Sequence, residues 1–120
     1  MTTITFLKRD GIYYGFRETG HAGFAAAGDD IVCSAISAMT MLVVNAIEVS
    51  YASKVDYTID EESSDITVIA KAALPEFEED EVKRFAVSGI IYAYLVQLTD
   101  MLEEYYEYID VKETEDFNLQ

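Results

Sequence analysis

Residues 31–47 read IVCSAISAMTMLVVNAI, a run of seventeen residues without a charged side chain. The run is too long for a typical strand, and apolar side chains occupy nearly all sides of its helical projection. It therefore predicts a core helix, from about Asp30 to Val49, that is sandwiched between other elements. Serine, threonine and asparagine interrupt the run, which is also slightly short for a membrane span. We expect a buried helix in a soluble, cytoplasmic protein that does not insert into a membrane.

Two strands are predicted before this helix. Thr3–Lys8 alternates and is rich in β-branched side chains, and a second strand covers about Ile12–Thr19. Asp10-Gly11 between them is a typical hairpin turn. Residues 20–28, GHAGFAAAG, then form a small, uncharged segment in which glycine gives the backbone unusual freedom. We expect the loop from Gly20 to Asp29 to be mobile without substrate and to close over it as a lid.

The same order of elements is predicted a second time after the helix, with different residues. Lys54–Asp60 alternates cleanly, and Asp65–Lys71 supplies its partner strand. The acidic run at 76–81 suits the N-terminus of a second helix, from about Glu78 to Glu103. Gly89 in the middle of that helix costs helix stability, but it would let the backbone approach the first helix closely.

The end of the chain completes a single domain. A final strand over about Tyr105–Lys112 precedes an acidic tail, about 113–120, that we expect to fray. The order is then β-β-α-β-β-α-β, which is typical of an α+β domain with a mostly antiparallel sheet packed with two helices. With 120 residues, 51% of them hydrophobic, the chain suffices for one compact domain over 1–120.

Composition excludes several classes of site. One cysteine leaves no internal disulfide, and a single cysteine with a single histidine falls short of the four ligands of a usual zinc site. The acidic runs lack the spacing of a calcium-binding loop, so we predict no metal and no cofactor. The net charge of −15 repels phosphate backbones, which argues against direct nucleic-acid binding, whereas a basic protein partner fits it well.

The only histidine and the only cysteine, His21 and Cys33, lie within one thirteen-residue segment. If Asp29 or Asp30 caps the core helix, Cys33 lies in its first turn, where free N–H groups and the positive end of the helix dipole stabilise a thiolate. The loop after His21 is long and supple enough to bring the imidazole over that helix end, where it would transfer protons. Ser37 follows Cys33 by four residues and shares its face of the helix. The pattern favours a nucleophilic thiol with a base beside it.

Each of these residues also has a purely structural interpretation. A buried cysteine at the start of a core helix is often inert packing, and a histidine in a glycine-rich loop is often polar surface. Asp30 either caps the helix or holds His21 in the productive tautomer, since its carboxylate would otherwise disfavour a nearby thiolate. The aromatic residues mostly suit half-buried sheet faces, although Tyr13, Tyr14 or Phe24 would also suit a pocket for an aromatic substrate residue.

The same segment, residues 20–37, resembles the signature of the ribosomal-processing cysteine proteases called Prp. The matching residues are the GHAG of 20–23, Gly28, the DIVC of 30–33, Ala35 and Ser37. The resemblance implies that Cys33 is the nucleophile and that His21 donates and accepts the proton. It also implies supporting roles for four residues, Gly20, Gly23, Asp30 and Ser37. Ser34 stands where alanine is more common in the family, a small change that leaves the pair intact.

The resemblance implies a narrow activity as well. Members of the family remove an N-terminal extension from large-ribosomal-subunit protein twenty-seven during ribosome maturation, cutting just after a short apolar and aromatic stretch. They occur in bacteria whose precursor carries that extension, and they tend to be homodimers. A domain with a net charge of −15 would attract such a basic ribosomal protein precursor.

Two other hypotheses compete with the peptidase. One is a non-catalytic acidic binding module that holds a basic ribosomal protein during assembly, with Cys33 as core filler. The other is a redox sensor, which is weakened because the chain has no second cysteine to resolve a sulfenic acid. The binding module predicts that Cys33→Ala leaves function unchanged, and the peptidase predicts the opposite.

Overall fold

The computed structural model describes residues 1–20 and 27–115, except the side chains of residues 27–30 and Ser50. The helices and strands are β1 (Thr2–Arg9), β2 (Ile12–Thr19), α1 (Ala27–Asn45), β3 (Asp56–Ile59), β4 (Ile66–Ile69), α2 (Glu81–Tyr105) and β5 (Ile109–Glu115). Their order, β-β-α-β-β-α-β, confirms the predicted α+β fold.

The β1–β2 hairpin follows from its local sequence. Asp10 and Gly11 both take positive φ values, 51° and 78°, as the twist of a two-residue hairpin turn requires. The expected turn is therefore confirmed. On the other side of β2, Gly15 lies against β4, where a Cβ atom would overlap the backbone oxygen of Val68. The close approach of these two strands requires glycine at that position.

The five strands form one sheet in the order β3-β4-β2-β1-β5. Three neighbouring pairs are antiparallel, and β5 runs parallel to β1, from Thr2 opposite Ile109 to Lys8 opposite Glu115. The prediction of a mostly antiparallel sheet is confirmed. Pairing with β1 also places residues 113–115 in the sheet and not in the predicted tail, whose remaining residues lie outside the described range.

Both helices cover the same face of the sheet. The rings of Phe6 in β1 and Phe16 in β2 meet the ring of Tyr94 in α2, at centroid distances of 5.7 and 5.0 Å. Thr40 in α1 donates a hydrogen bond to Glu18, which lies two residues beyond Phe16 and therefore on the same face of β2. One core joins both helices to the sheet. This arrangement brings α1 over the ends of β1 and β2.

The start of α2 follows from its acidic run, although it comes three residues later than predicted. The Asp80 side chain accepts hydrogen bonds from the backbone N–H groups two and three residues further on, at 3.0 and 3.3 Å. This cap satisfies free donors of the first turn, so the helix begins at Glu81 and not at Glu78. The helix continues to Tyr105, and β5 accordingly begins later than predicted, at Ile109.

The helix that contains the uncharged run of residues 31–47 is less enclosed than its sequence predicts. Along α1 and the π-helical turn that extends it, Ala46–Ser50, the side chains of Ile31, Leu42 and Val49 are 63, 67 and 78% exposed. The expectation of a sandwiched helix is wrong because the sheet and α2 cover only one side of it. By length and composition, the helical segment Ile31–Val49 and α2 could each cross a membrane. Core helices of soluble proteins also pass this test, so the cytoplasmic location stays a prediction.

Gly89 does not mediate contact between the helices. It is exposed, and apart from its own stretch of helix no atom of the described residues lies within 4 Å of the place where its Cβ would stand. The buried stripe of α2 runs through Val87 and Ile91, on the opposite side of the helix. The expectation of a close backbone approach at this glycine is therefore wrong.

Candidate active site

The open end of the β1–β2 hairpin lies under the N-terminal half of α1. Cys33 is half-buried there, and its Sγ atom lies 4.0 Å from the Oγ1 atom of Thr2, the first residue of β1. Thr2 is only 3% exposed, and its backbone N–H donates to the carbonyl of Tyr108 at 2.9 Å. The sheet therefore holds the predicted nucleophile on one side, while the residue remains partly accessible to solvent.

Gly20, which follows β2, reaches the same end of the hairpin. Its φ of 76° is one that other residues rarely adopt, and a Cβ atom would stand 2.7 Å from the carbonyl oxygen of Met1. Because Met1 precedes Thr2, the segment that contains His21 starts beside the residue that contacts Cys33. His21 itself lies outside the described residues.

Helix α1 begins earlier than predicted. It starts at Ala27, so Asp29 and Asp30 lie within its first turn and neither is the N-cap. Cys33 is the seventh residue of the helix and lies in the second turn. Alanine is the strongest helix former, which favours extending the helix into the end of the predicted loop. The prediction of a first-turn cysteine is wrong, and the effect of the helix dipole has largely fallen off at its position.

The predicted supporting residues are only partly described. Gly20 lies at the same end of the sheet as Cys33. Ser37, one turn after Cys33, is exposed and makes no hydrogen bond to another described residue. The side chain of Asp30 and the whole of Gly23 lie outside the described residues. The same holds for residues 21–26 of the predicted lid, whose last three residues belong to α1.

Sequence reasoning missed two contacts at this end of the sheet. Nothing in the local sequence marks Thr2 as a neighbour of Cys33, which is 31 residues away. Glu18 is 1% exposed, and its Oε1 atom accepts hydrogen bonds from the hydroxyl groups of Thr40 and Tyr94, the latter at 3.1 Å. Side chains alternate along β2, so Glu18 falls on the inward, largely apolar face of the strand. A charged residue at an inward position is the sequence signal that could have identified this contact.

Burial determines the protonation of Tyr94 in this group. Desolvation first, and then the charge of Glu18, raises the pKa of Tyr94 far above its ordinary value. The Tyr94 hydroxyl therefore stays protonated and donates to the carboxylate. Among the described side chains of residues 1–20 and 31–115, no group of three or more His, Cys, Asp and Glu is placed to hold a metal ion.

Tyr13 and Tyr14 lie at the other end of the hairpin. Tyr13 is six residues before the end of β2, a distance of about 20 Å along a strand. Tyr14 is fully buried, and the Tyr13 ring packs against Tyr92 with a centroid distance of 5.3 Å. The interpretation that these two tyrosines line a substrate pocket beside Cys33 is therefore wrong. Phe24 lies outside the described residues.

Comparisons with known proteins agree with this fold. The family described as cysteine protease Prp matches residues 1–110. The crystal structure of SMU.848 from Streptococcus mutans is 31% identical and covers 97% of this chain and 99% of that chain, with a TM-score of 0.77. No curated protein matches the chain significantly.

Two further similar structures are complexes of the essential ribosomal processing protease Prp from S. aureus. The complex with a substrate peptide is 24% identical, with a TM-score of 0.76. The complex with a covalently linked product peptide is 25% identical, with a TM-score of 0.73. Each covers 95% of this chain and 100% of that chain.

The family match extends well beyond the short motif that first suggested it. It includes all residues from Gly20 to Ser37, both helices, and the strands from β1 to the beginning of β5. The likeness is thus a property of nearly the whole chain. This chain belongs to the family of cysteine proteases called Prp.

Proposed function

We propose that this chain is a cysteine endopeptidase that removes the N-terminal extension from the precursor of large-ribosomal-subunit protein twenty-seven. The observation that carries the proposal is the convergence of Cys33 and Gly20 on the first two residues of the chain. Gly20, the residue before His21, lies against Met1, and the next residue, Thr2, contacts the thiol. Membership of the family supports the thiol chemistry, and a peptide substrate is supported by the complex of the S. aureus protease with a substrate peptide.

In the proposed reaction, His21 accepts the proton of the Cys33 thiol, and the sulfur attacks the scissile carbonyl carbon. The C–N bond breaks as His21 returns the proton to the departing amine, which leaves a thioester on Cys33. Water, deprotonated by His21, hydrolyses the thioester and restores the thiol. Backbone N–H groups at the N-terminal end of α1, which have no partner within the helix, are the proposed donors to the oxyanion. Gly20, Gly23, Asp30 and Ser37 keep the supporting roles that the family signature implies.

The surface of the chain supports a basic protein as the substrate. A net charge of −15 attracts a basic ribosomal protein precursor and disfavours direct binding of nucleic acid. The exposed apolar side chains of α1, among them Ile31 and Leu42, suit a contact with another protein surface. The proposal also includes the homodimer and the bacterial origin that the family resemblance implies, and a cytoplasmic protein that neither enters a membrane nor needs a cofactor.

A synthetic peptide that spans the apolar and aromatic stretch of the precursor tests the activity. The wild-type protein should cut it once, just after that stretch, as read by mass spectrometry. Cys33→Ala should leave the peptide intact because the nucleophile is lost. Ser34→Ala, at the adjacent exposed position, is the matched control and should cut at the wild-type rate. Circular dichroism verifies that all three proteins are folded.

The acidic binding module predicts a different result in the same experiment. The wild-type protein and Cys33→Ala would capture the precursor equally well, and neither would cut the peptide. An intact peptide after incubation with correctly folded wild-type protein would contradict the peptidase.

A further inference from the structure

A buried carboxylate joins three elements near the open end of the hairpin. The Oε1 atom of Glu18 in β2 accepts hydrogen bonds from Thr40 in α1 and from Tyr94 in α2. The hydroxyl oxygens of Thr40 and Tyr94 lie 3.1 Å from each other. We call Glu18, Thr40 and Tyr94 the Glu18 cluster. It is the one place where buried polar side chains from the sheet and from both helices meet among the described residues.

A carboxylate is rarely buried as fully as that of Glu18, which is 1% exposed. Glu18 lies opposite Ile4 in the hairpin register, on a face of the sheet that is otherwise largely apolar. Burying a carboxylate is costly even when it is hydrogen-bonded, and a well-packed apolar side chain often stabilises a core at least as well. A buried polar group does, however, restrict its partners, because few arrangements satisfy its hydrogen bonds. The Glu18 cluster therefore specifies how α1 and α2 sit on β2.

The cluster lies two helical turns from the nucleophile. Thr40 follows Cys33 by seven residues, which is about 10 Å along the helix and returns to the same face. On the sheet, Glu18 lies beside Ile4, two residues along β1 from Thr2, so Thr2 and Glu18 are about 8 Å apart on one face. Helix α1 thus contacts the sheet through two pairs of side chains, Cys33 with Thr2 and Thr40 with Glu18. The distance between the two α1 residues is similar to the distance between their partners on the sheet.

We infer that the Glu18 cluster positions the nucleophile, an inference that rests on the proposed function. Glu18 precedes Gly20 by two residues, so the same side chain anchors the strand end from which the segment with His21 departs. The cluster thereby sets the placement of Cys33 on α1 relative to Gly20, the residue that precedes His21. Its residues act through the position of α1 and not on the substrate.

The variant Thr40→Val tests this inference, because it removes the hydroxyl group and keeps the shape of the side chain. At a temperature well below the unfolding of every variant, kcat for peptide cleavage should fall on the order of tenfold, while KM changes by less than about twofold. Alkylation of Cys33 by iodoacetamide at pH 7 should slow in the same variant. Tyr94→Phe should act in the same direction, and Thr40→Ser, which restores the hydroxyl group, should recover most of kcat.

A matched control separates positioning from stability. Val87→Ala removes buried apolar atoms from α2, two turns before Tyr94, and should lower the unfolding temperature at least as much as Thr40→Val while kcat and alkylation stay at wild-type values. If Thr40→Val and Tyr94→Phe behave like Val87→Ala, the cluster is only structural and the inference is overturned. A wild-type protein that does not cut the peptide overturns the proposed function. Alkylation needs no substrate, so the alkylation rates of the variants would still show whether the Glu18 cluster positions Cys33.

Discussion

The two ends of the β1–β2 hairpin are built in different ways. At the turn end, Lys8 and Tyr13 lie opposite each other and both contact Glu113 of β5 at the surface. At the open end, the buried side chains of Thr2 and Glu18 contact α1 residues that are 31 and 22 positions away in the chain. Exposed ion pairs contribute little to stability, whereas unpairing a buried polar group is costly. The difference teaches that the proposed chemistry lies where the contacts are buried, and not simply where they are distant in sequence.

The largest difference between the two ends should be in peptide cleavage. His21→Ala should lower kcat/KM by about 10²–10⁴-fold, because a positioned acid and base is lost. Alkylation of Cys33 by iodoacetamide at pH 7 should fall much less, since this reaction needs no protonated leaving amine. Tyr13→Phe, at the turn end, should cleave at the wild-type rate. Equal cleavage by the wild type and His21→Ala would refute the Cys-His pair.

A pair of glycines with nearly the same backbone conformation sharpens the comparison in stability. Gly11 and Gly20 have φ values of 78° and 76°, but of the two only Gly20 has atoms of another described residue, the carbonyl group of Met1, within 4 Å of its missing Cβ. Gly11→Ala should therefore cost about 1 kcal/mol of unfolding free energy from backbone strain alone. Gly20→Ala should cost about 2–3 kcal/mol and also reduce cleavage, because the chain must shift to relieve the overlap. Urea unfolding measures both values, and equal losses would mean that the two ends tolerate a Cβ alike.

Removal of the Thr2 hydroxyl group, which lies beside the Cys33 thiol, should have a smaller effect on the reactivity of Cys33. Thr2→Val replaces it with a methyl group of similar size, and alkylation of Cys33 at pH 7 should slow by about three- to tenfold if the hydroxyl donates to the thiolate. Thr2→Ser keeps the hydroxyl group and should react at nearly the wild-type rate. An unchanged rate in Thr2→Val would show that the contact of Thr2 with Cys33 is packing only.

The smallest effect is expected from the contact between Tyr13 and Glu113. Their hydrogen bond lowers the pKa of Glu113 and raises the pKa of Tyr13 to about 12. The stability that Glu113 contributes is present above the ordinary carboxyl pKa and is lost as the pH falls through the lowered value. The same bond weakens again in alkali, as the pH rises from the ordinary tyrosine pKa of roughly 10 through the raised one.

Because this contact lies at the surface, solvent screens it strongly. Tyr13→Phe should lower the free energy of unfolding by only a few tenths of a kcal/mol at pH 7. Urea titrations between pH 3 and pH 8 should show that the difference between wild type and variant shrinks in acid. A loss well above 1 kcal/mol at pH 7 would mean that the turn end is as tightly coupled as the open end.

Residues close in sequence account for what could be predicted. The Asp10-Gly11 turn and the bounds of β2 follow from the conformations of a few neighbouring residues, and the order of elements follows from local periodicity. The start of α1 at Ala27 was harder to predict, because alanine and glycine in the preceding segment suit both loop and helix. The expected contact of Gly89 with α1 is wrong because helical spacing alone does not determine which face of α2 packs against α1.

The sequence by itself determined the fold class and singled out Cys33 and His21, since they are the only cysteine and histidine and share one short glycine-rich segment. It also determined that this segment resembles a protease signature. Only the tertiary structure placed Thr2 beside Cys33 and Glu18 beneath Thr40 and Tyr94. Those neighbours come from distant parts of the chain, and which side chains meet depends on how the helices pack on the sheet, which no local pattern encodes.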